Sequence, residues 1–160
     1  MKIKLLTGAL LLSSFFVMIP AHADLYDSTG ALVEKPRKCT RGARKSVYVT
    51  DFPDVEISQY RTISQVREAI YRAGRENRWI MRDMLGTGDN RIEATLVVRS
   101  KHTVIVDITY TANQYSLFYK NSVNMNYASC DGKRYIHPNY AVWVSRLNQS
   151  IQIELSAPDR

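Results

Sequence analysis

Between Arg91 and Lys120 the chain reads RIEATLVVRSKHTVIVDITYTANQYSLFYK. Apolar residues return at every second position: Ile92, Ala94, Leu96 and Val98, then Val104, Val106, Ile108 and Tyr110, then Tyr115, Leu117 and Tyr119. Period two marks strands with one buried face. Whether the three strands can share a core is a matter of parity, because a slip of one residue sends a whole set to the wrong side. If Val98 lies opposite Val104 across an odd loop, Ser100–His102, and Tyr110 lies opposite Tyr115 across Thr111–Gln114, all three sets face one way. Trp79–Met84 upstream also has strand character, and Gly86-Thr-Gly-Asp-Asn90 is a turn. The expectation is an antiparallel four-stranded meander. On its second face this register places Val97 opposite Ile105 and aligns Thr95, Asp107 and Phe118. Val97, Ile105 and Phe118 would then form an apolar patch around the Asp107 carboxylate, a surface that the chain's own arm, a partner or a second copy would cover.

Helical patterns flank the meander. Thr62 and Gln65 have capping-box spacing, and Ile63, Val66, Ile70 and Ala73 follow at helical intervals up to Asn77–Arg78. The opposite side carries Arg67, Glu68, Arg72, Arg75 and Glu76, and a Glu68–Arg72 pair is expected there. After a polar connection, Asn121–Tyr135, Pro138 opens a second helix whose stripe is Tyr140, Trp143, Val144, Leu147 and Ile151. Both helices must bury their stripes on the meander's apolar face. The fold class is therefore α+β, with the two helices packed on one face of the sheet.

The remaining segments set the compartment. Residues 1–23 read as a cleaved signal peptide: Lys2 and Lys4, an apolar run from Leu5 to Ile19, then Ala21-His-Ala23 as a cleavage site before Asp24. Residues 24–61 form a basic arm, with Ser46–Thr50 as a short strand. Residues 62–155 make a single α+β domain and 156–160 a tail. The whole chain has 22 Lys and Arg against 15 Asp and Glu, a formal charge of +7. Six of the bases form one cluster in the arm, where Lys35, Arg37, Lys38, Arg41, Arg44 and Lys45 surround Cys39 without an intervening acid. Arg41, Arg44 and Lys45 are the expected anion-binding residues, with envelope polyanions or lipid headgroups as natural partners of an exported chain. In an oxidising compartment Cys39 and Cys130 have one intramolecular pairing, and the loop it closes would be worth roughly 4 kcal/mol in chain-entropy terms.

Several chemistries lack their residues. Metal ligands are too few, because only His102 and His137 remain after cleavage and both cysteines are committed. Gly86-Thr-Gly88 lies between strands instead of opening a helix, so no dinucleotide fingerprint or phosphate loop is present, and no cofactor is expected. Nucleic-acid binding would need stacking aromatics interleaved with the basic residues, or a reading helix, and neither is identifiable. The ten tyrosines are better evidence for recognition, since Tyr presents a rigid apolar ring with a polar tip. Tyr115, Tyr119, Tyr127, Tyr135 and Tyr140 gather toward one end of the expected fold, and Tyr119, Asn124, Tyr127, His137, Asn139 and Tyr140 are the candidate binding residues there. Asp107 and Phe118 mark the second face.

Four groups of residues carry a family resemblance: Arg91-Ile-Glu-Ala-Thr-Leu96; Val106-Asp-Ile-Thr-Tyr110; Tyr115-Ser-Leu-Phe-Tyr119 with Ser122 and Asn124; and Ile136-His-Pro-Asn-Tyr140 with Trp143 and Leu147. Together, from Ile63 to Ile151, the chain resembles a family of small uncharacterised exported proteins of Gram-negative bacteria, many of them lipoproteins. The resemblance implies an envelope location and an α+β fold, and supplies no reaction. The chain departs from the lipoprotein pattern because Asp24, not Cys, would become the mature N-terminus, and the basic arm and Cys pair are additions. The functional expectation is a non-enzymatic periplasmic or secreted binding module for an envelope component or protein partner, with room for peripheral membrane contact and for a dimer. The competing reading is a small exported enzyme with its site around His137, Asn139 and Tyr119. An inhibitor of basic envelope lysozymes is disfavoured by like charge.

Overall fold

The computed structural model of the protein describes residues 46–84, 86 and 90–158. The signal peptide, Cys39, Arg41, Arg44 and Lys45 lie outside the described residues.

Strands β3 (Ile80–Asp83), β4 (Arg91–Val98), β5 (His102–Tyr110) and β6 (Gln114–Val123) pair antiparallel in chain order. The sheet is larger than the expected four-stranded meander. β2 (Phe52–Glu56), from the segment read as arm, adds to the far edge of β6 and gives five strands in the order β2-β6-β5-β4-β3. A second, three-stranded sheet pairs β1 (Val47–Tyr48) with β8 (Lys133–Ile136) and β8 with β7 (Ala128–Cys130). β1 lies within the expected short strand Ser46–Thr50, whereas β2, β7 and β8 are short and mostly polar and show no period-two signal. β2 even contains Pro53, which an edge strand tolerates because one side needs no donor. β7 and β8 are joined by Asp131-Gly132 at φ +49° and +74°, the dihedral pattern of a primed hairpin turn. The expected polar connection Asn121–Tyr135 is therefore the end of β6 followed by a hairpin.

The expected parity holds and one register does not. Tyr110 faces Tyr115 and Ile108 faces Leu117, as the four-residue loop requires. Between β4 and β5, however, Leu96 and not Val98 lies opposite Val104, a displacement of two residues. The turn is Arg99-Ser-Lys101, with Arg99 at φ +53° and Ser100 at +50° and Lys101 N–H donating to Val98 O at 3.2 Å. A shift of two preserves the faces but rearranges the second-face rows. Thr95 now faces Ile105, Val97 faces Thr103, and Asp107 lies between Glu93 and Phe118. The expected row of Thr95, Asp107 and Phe118 does not form.

Helix α1 (Ile63–Glu76) opens with the capping box: Thr62 Oγ1 accepts from Gln65 N–H at 3.2 Å and Gln65 Oε1 from Thr62 N–H at 2.7 Å. Ile63 stays exposed at the first turn, while Val66, Ile70 and Ala73 are fully buried. Glu68 pairs with Arg67 instead of Arg72, which reaches Glu154 at 2.5 Å. Gly74 lets α1 approach β3, since a Cβ there would sit 2.4 Å from Met81 Sδ. Helix α2 (Asn139–Ser156) buries Tyr140, Val144, Leu147 and Ile151 against α1 and the sheet. Its C-terminus is closed by Arg61, whose guanidinium donates to Leu155 O at 3.2 and 3.0 Å and also to Ala157 O. A cation at that end also meets the negative pole of the helix dipole.

Candidate functional site

Three groups of residues could support function. The first is the expected tyrosine cluster. Asn124 and Asn126 both adopt positive φ, +58° and +53°, and turn the fully buried Met125 into the core between them. Asn residues accept that conformation more readily than most. Asn124 Nδ2 donates to Lys101 O at 2.7 Å, and its carbonyl meets His102 Nδ1 at 2.9 Å, so Asn124 ties the β4–β5 turn to the end of β6. Tyr127 stacks on Tyr119 at 4.7 Å, and Tyr119 meets Tyr140 edge-on at 5.6 Å. Tyr140 is fully buried and its hydroxyl is held in the protonated form by burial. His137 Nδ1 accepts from Asn139 N–H at 3.2 Å, which satisfies an orphan donor at the start of α2. The rings of His102 and His137 come within 6.4 Å of each other, although 35 positions separate them in sequence. The expected residues of this group therefore do assemble, but the hydrogen bonds of Asn124 and His137 hold backbone. Among the described residues, no group of three or more His, Cys, Asp or Glu is arranged to hold a metal ion.

The second group lies on the open face of the five-stranded sheet, where Asp107 and Phe118 were expected. Arg91 Nη2 reaches Asp107 Oδ2 at 2.6 Å. Lys120 Nζ reaches Glu93 Oε2 at 2.7 Å and lies 3.3 Å from Asp107 Oδ1, the latter an ion pair without hydrogen-bond alignment. Burial lowers the Lys120 pKa, but Glu93 and Asp107 outweigh it and the ammonium ends above its usual range. The apolar patch is accordingly interrupted by two cations and two carboxylates in mutual contact. Phe118, in the same row as Glu93 and Asp107, and Val97, further along β4, are both exposed.

The third group was not anticipated. A cleft of about 500 Å³ opens where the C-terminal end of α1, the end of β4 and the first turns of α2 converge. Its apolar wall is Trp79, Leu96, Val98 and Trp143, and its rim carries Arg78, Arg99 and Arg146 with Glu76. Trp79 and Leu96 are buried at 4% and 7%, whereas all three arginines are exposed. Trp79 and Trp143 are the only tryptophans in the chain. Arg67, Arg72, Arg91, Arg134 and Lys120 are each matched to a carboxylate. None of the three rim arginines makes an ion pair with a described carboxylate.

Backbone geometry sets this rim apart further. Arg78 directly follows the C-cap Asn77 and has φ +61°. Its N–H donates to Arg75 O at 3.1 Å and Trp79 N–H to Gly74 O at 2.9 Å, the two bonds of a Schellman closure. Arg99 has φ +53° in the β4–β5 turn. Glycine or asparagine is the ordinary occupant of both positions, yet the chain places an arginine at each. The sequence did hold a signal for this site, since Trp79 lies just beyond a helix end and Trp143 on the second helix's stripe. Nothing in the periodicity showed that the two would meet.

No protein-family model, no curated protein and no solved structure matches this chain. Among the described residues no helix is long and apolar enough to cross a membrane.

Proposed function

We propose that the chain is a non-enzymatic binding module, exported to the periplasm or beyond, that holds an anionic envelope component at the cleft between Trp79 and Trp143. One observation carries this reading. Three arginines without carboxylate partners among the described residues rim a hollow lined by both of the chain's tryptophans. Guanidinium forks match carboxylate and phosphate geometry, and indole faces supply apolar area with little conformational entropy to lose. A volume near 500 Å³ lies within the roughly 300–1,000 Å³ typical of small-molecule sites. The basic composition of the chain favours the same class of partner through long-range attraction.

The two indoles make the test direct. Tryptophan emission is titrated with lipopolysaccharide and with phosphatidylglycerol vesicles, at low and at physiological salt. The expected result is a shift that weakens as salt rises and is absent with phosphatidylcholine vesicles. No response to either anionic preparation, or an equal response to phosphatidylcholine, overturns the proposal.

A further inference from the structure

The cleft is layered. Its floor is apolar and largely buried, formed by Trp79 and Leu96, and continues upward through the half-buried Val98 and Trp143. Its charges lie above that floor: three exposed arginines from three separate elements, Arg78 after α1, Arg99 after β4 and Arg146 on α2, outnumber the single rim carboxylate, Glu76. A compact inorganic anion would satisfy the rim and leave the indole floor in contact with water. A neutral hydrocarbon would cover the floor and leave the arginines without a counter-charge. Only a molecule that carries both parts uses the whole surface.

From this layering we infer that the ligand is an anionic amphiphile, a single molecule whose phosphate or carboxylate head sits among Arg78, Arg99 and Arg146 while its hydrocarbon or ring lies on Trp79, Leu96 and Trp143. The inference rests on the binding-module reading and narrows its ligand class. The left-handed backbone at Arg78 and Arg99 is an independent observation in its favour. A non-glycine residue in that region costs free energy, and such cost is concentrated where a side chain serves a ligand. The head would face solvent and the tail the core, so the molecule enters as a monomer, tail first.

The probe is dodecyl phosphate below its micellar concentration, with two controls that each keep one half of it: inorganic phosphate has the anion without the chain, and dodecyltrimethylammonium has the chain with a cationic head. Binding is read from the emission of Trp79 and Trp143. The amphiphile should shift the emission to the blue and bind saturably, while each control binds at least tenfold more weakly. Arg99→Gln with Arg146→Gln should weaken dodecyl phosphate binding by about tenfold, the product of two exposed charge contacts. Arg82→Gln, an exposed cation on β3 outside the cleft, should change nothing. Melting temperature confirms that each variant is folded. If inorganic phosphate binds as tightly as dodecyl phosphate, the amphiphile is wrong but an anion-binding cleft stands. If dodecyltrimethylammonium binds equally, or the double variant retains full affinity, the arginines do not select the ligand and both readings fall.

Discussion

Replacing Arg78 by glycine should stabilise this protein while weakening its cleft. Arg78 occupies the position after the C-cap of α1 at φ +61°, and the two backbone hydrogen bonds that close the helix depend on that conformation. A Cβ in the left-handed region costs about 1–2 kcal/mol, and glycine removes it. Glycine's wider freedom in the unfolded chain gives back roughly 0.5–1 kcal/mol. The arginine side chain is exposed and has no described carboxylate partner, so its removal costs little in the folded state. The net gain is about 0.5–1 kcal/mol, a rise of about 2–4 °C in Tm for a domain of this size. Arg78→Ala is the control, because it deletes the guanidinium and retains the Cβ; it should stay within about 0.5 kcal/mol of wild type. Urea denaturation of the three proteins, followed by circular dichroism, measures the differences. Both variants should bind dodecyl phosphate more weakly than wild type. A glycine variant no more stable than the alanine variant would show that the left-handed backbone at position 78 stores no cost, and would remove one of the two supports for the amphiphile site.

Arg61→Ala removes the guanidinium that closes α2 at Leu155 O and Ala157 O, and should cost about 2 kcal/mol in urea denaturation, the worth of a charge-assisted bond plus the orphaned carbonyls; Arg61→Lys should recover less than half, because an ammonium lacks the fork. The Asp83 carboxyl is held below its ordinary range chiefly by its hydrogen bond from Arg67, against the opposing effect of burial. Its contribution is therefore fully present above the unfolded value, about 3.9, and is lost as pH falls through the lower folded value. Asp83→Asn should flatten the acid limb of a stability–pH profile below about pH 4 and leave the alkaline side unchanged; an unaltered acid limb would assign that dependence to other groups. If the chain is exported to an oxidising compartment and Cys39 and Cys130 are bridged there, protein purified from that compartment should show no reactive thiol in denaturant, and two per chain would end that expectation.

The meander and both helices were legible because long elements with one buried face repeat their signal many times. Val104, Val106 and Ile108 cannot all be buried except on one side of a strand. Loop parity fixed which residues share a face, and the observed displacement by two residues at Arg99-Ser-Lys101 leaves that partition intact. Parity alone cannot tell apart registers differing by two, so the rows across the second face were misassigned and the ion network of Arg91, Glu93, Asp107 and Lys120 went unseen. β2, β7 and β8 span only 3 to 5 residues. Their pairing comes from tertiary context and from the Asp131-Gly132 turn, not from a pattern of their own. The Trp79–Trp143 cleft was hidden for another reason: its residues come from three elements, and each alone reads as a core residue or a solvated charge.

The position of β2 in the chain has a consequence for how the molecule is assembled. Phe52 pairs with Leu117 and Val55 with Tyr115, partners that lie some sixty residues later. If the chain emerges on the far side of a membrane N-terminus first, β2 arrives early and has nothing to pair with until β6 has followed. The local hairpins β3–β4, β4–β5 and β5–β6 close across short loops and can form first, whereas joining β2 requires closure of a long loop and comes late. Until then the β6 edge displays unpaired backbone groups beside Leu117 and Tyr115, the kind of open edge that recruits another strand. In that order of emergence, folding would pass through a stage with one sheet edge unguarded, and the protein closes that edge with the earliest described strand of that sheet, by pairing β2 on β6.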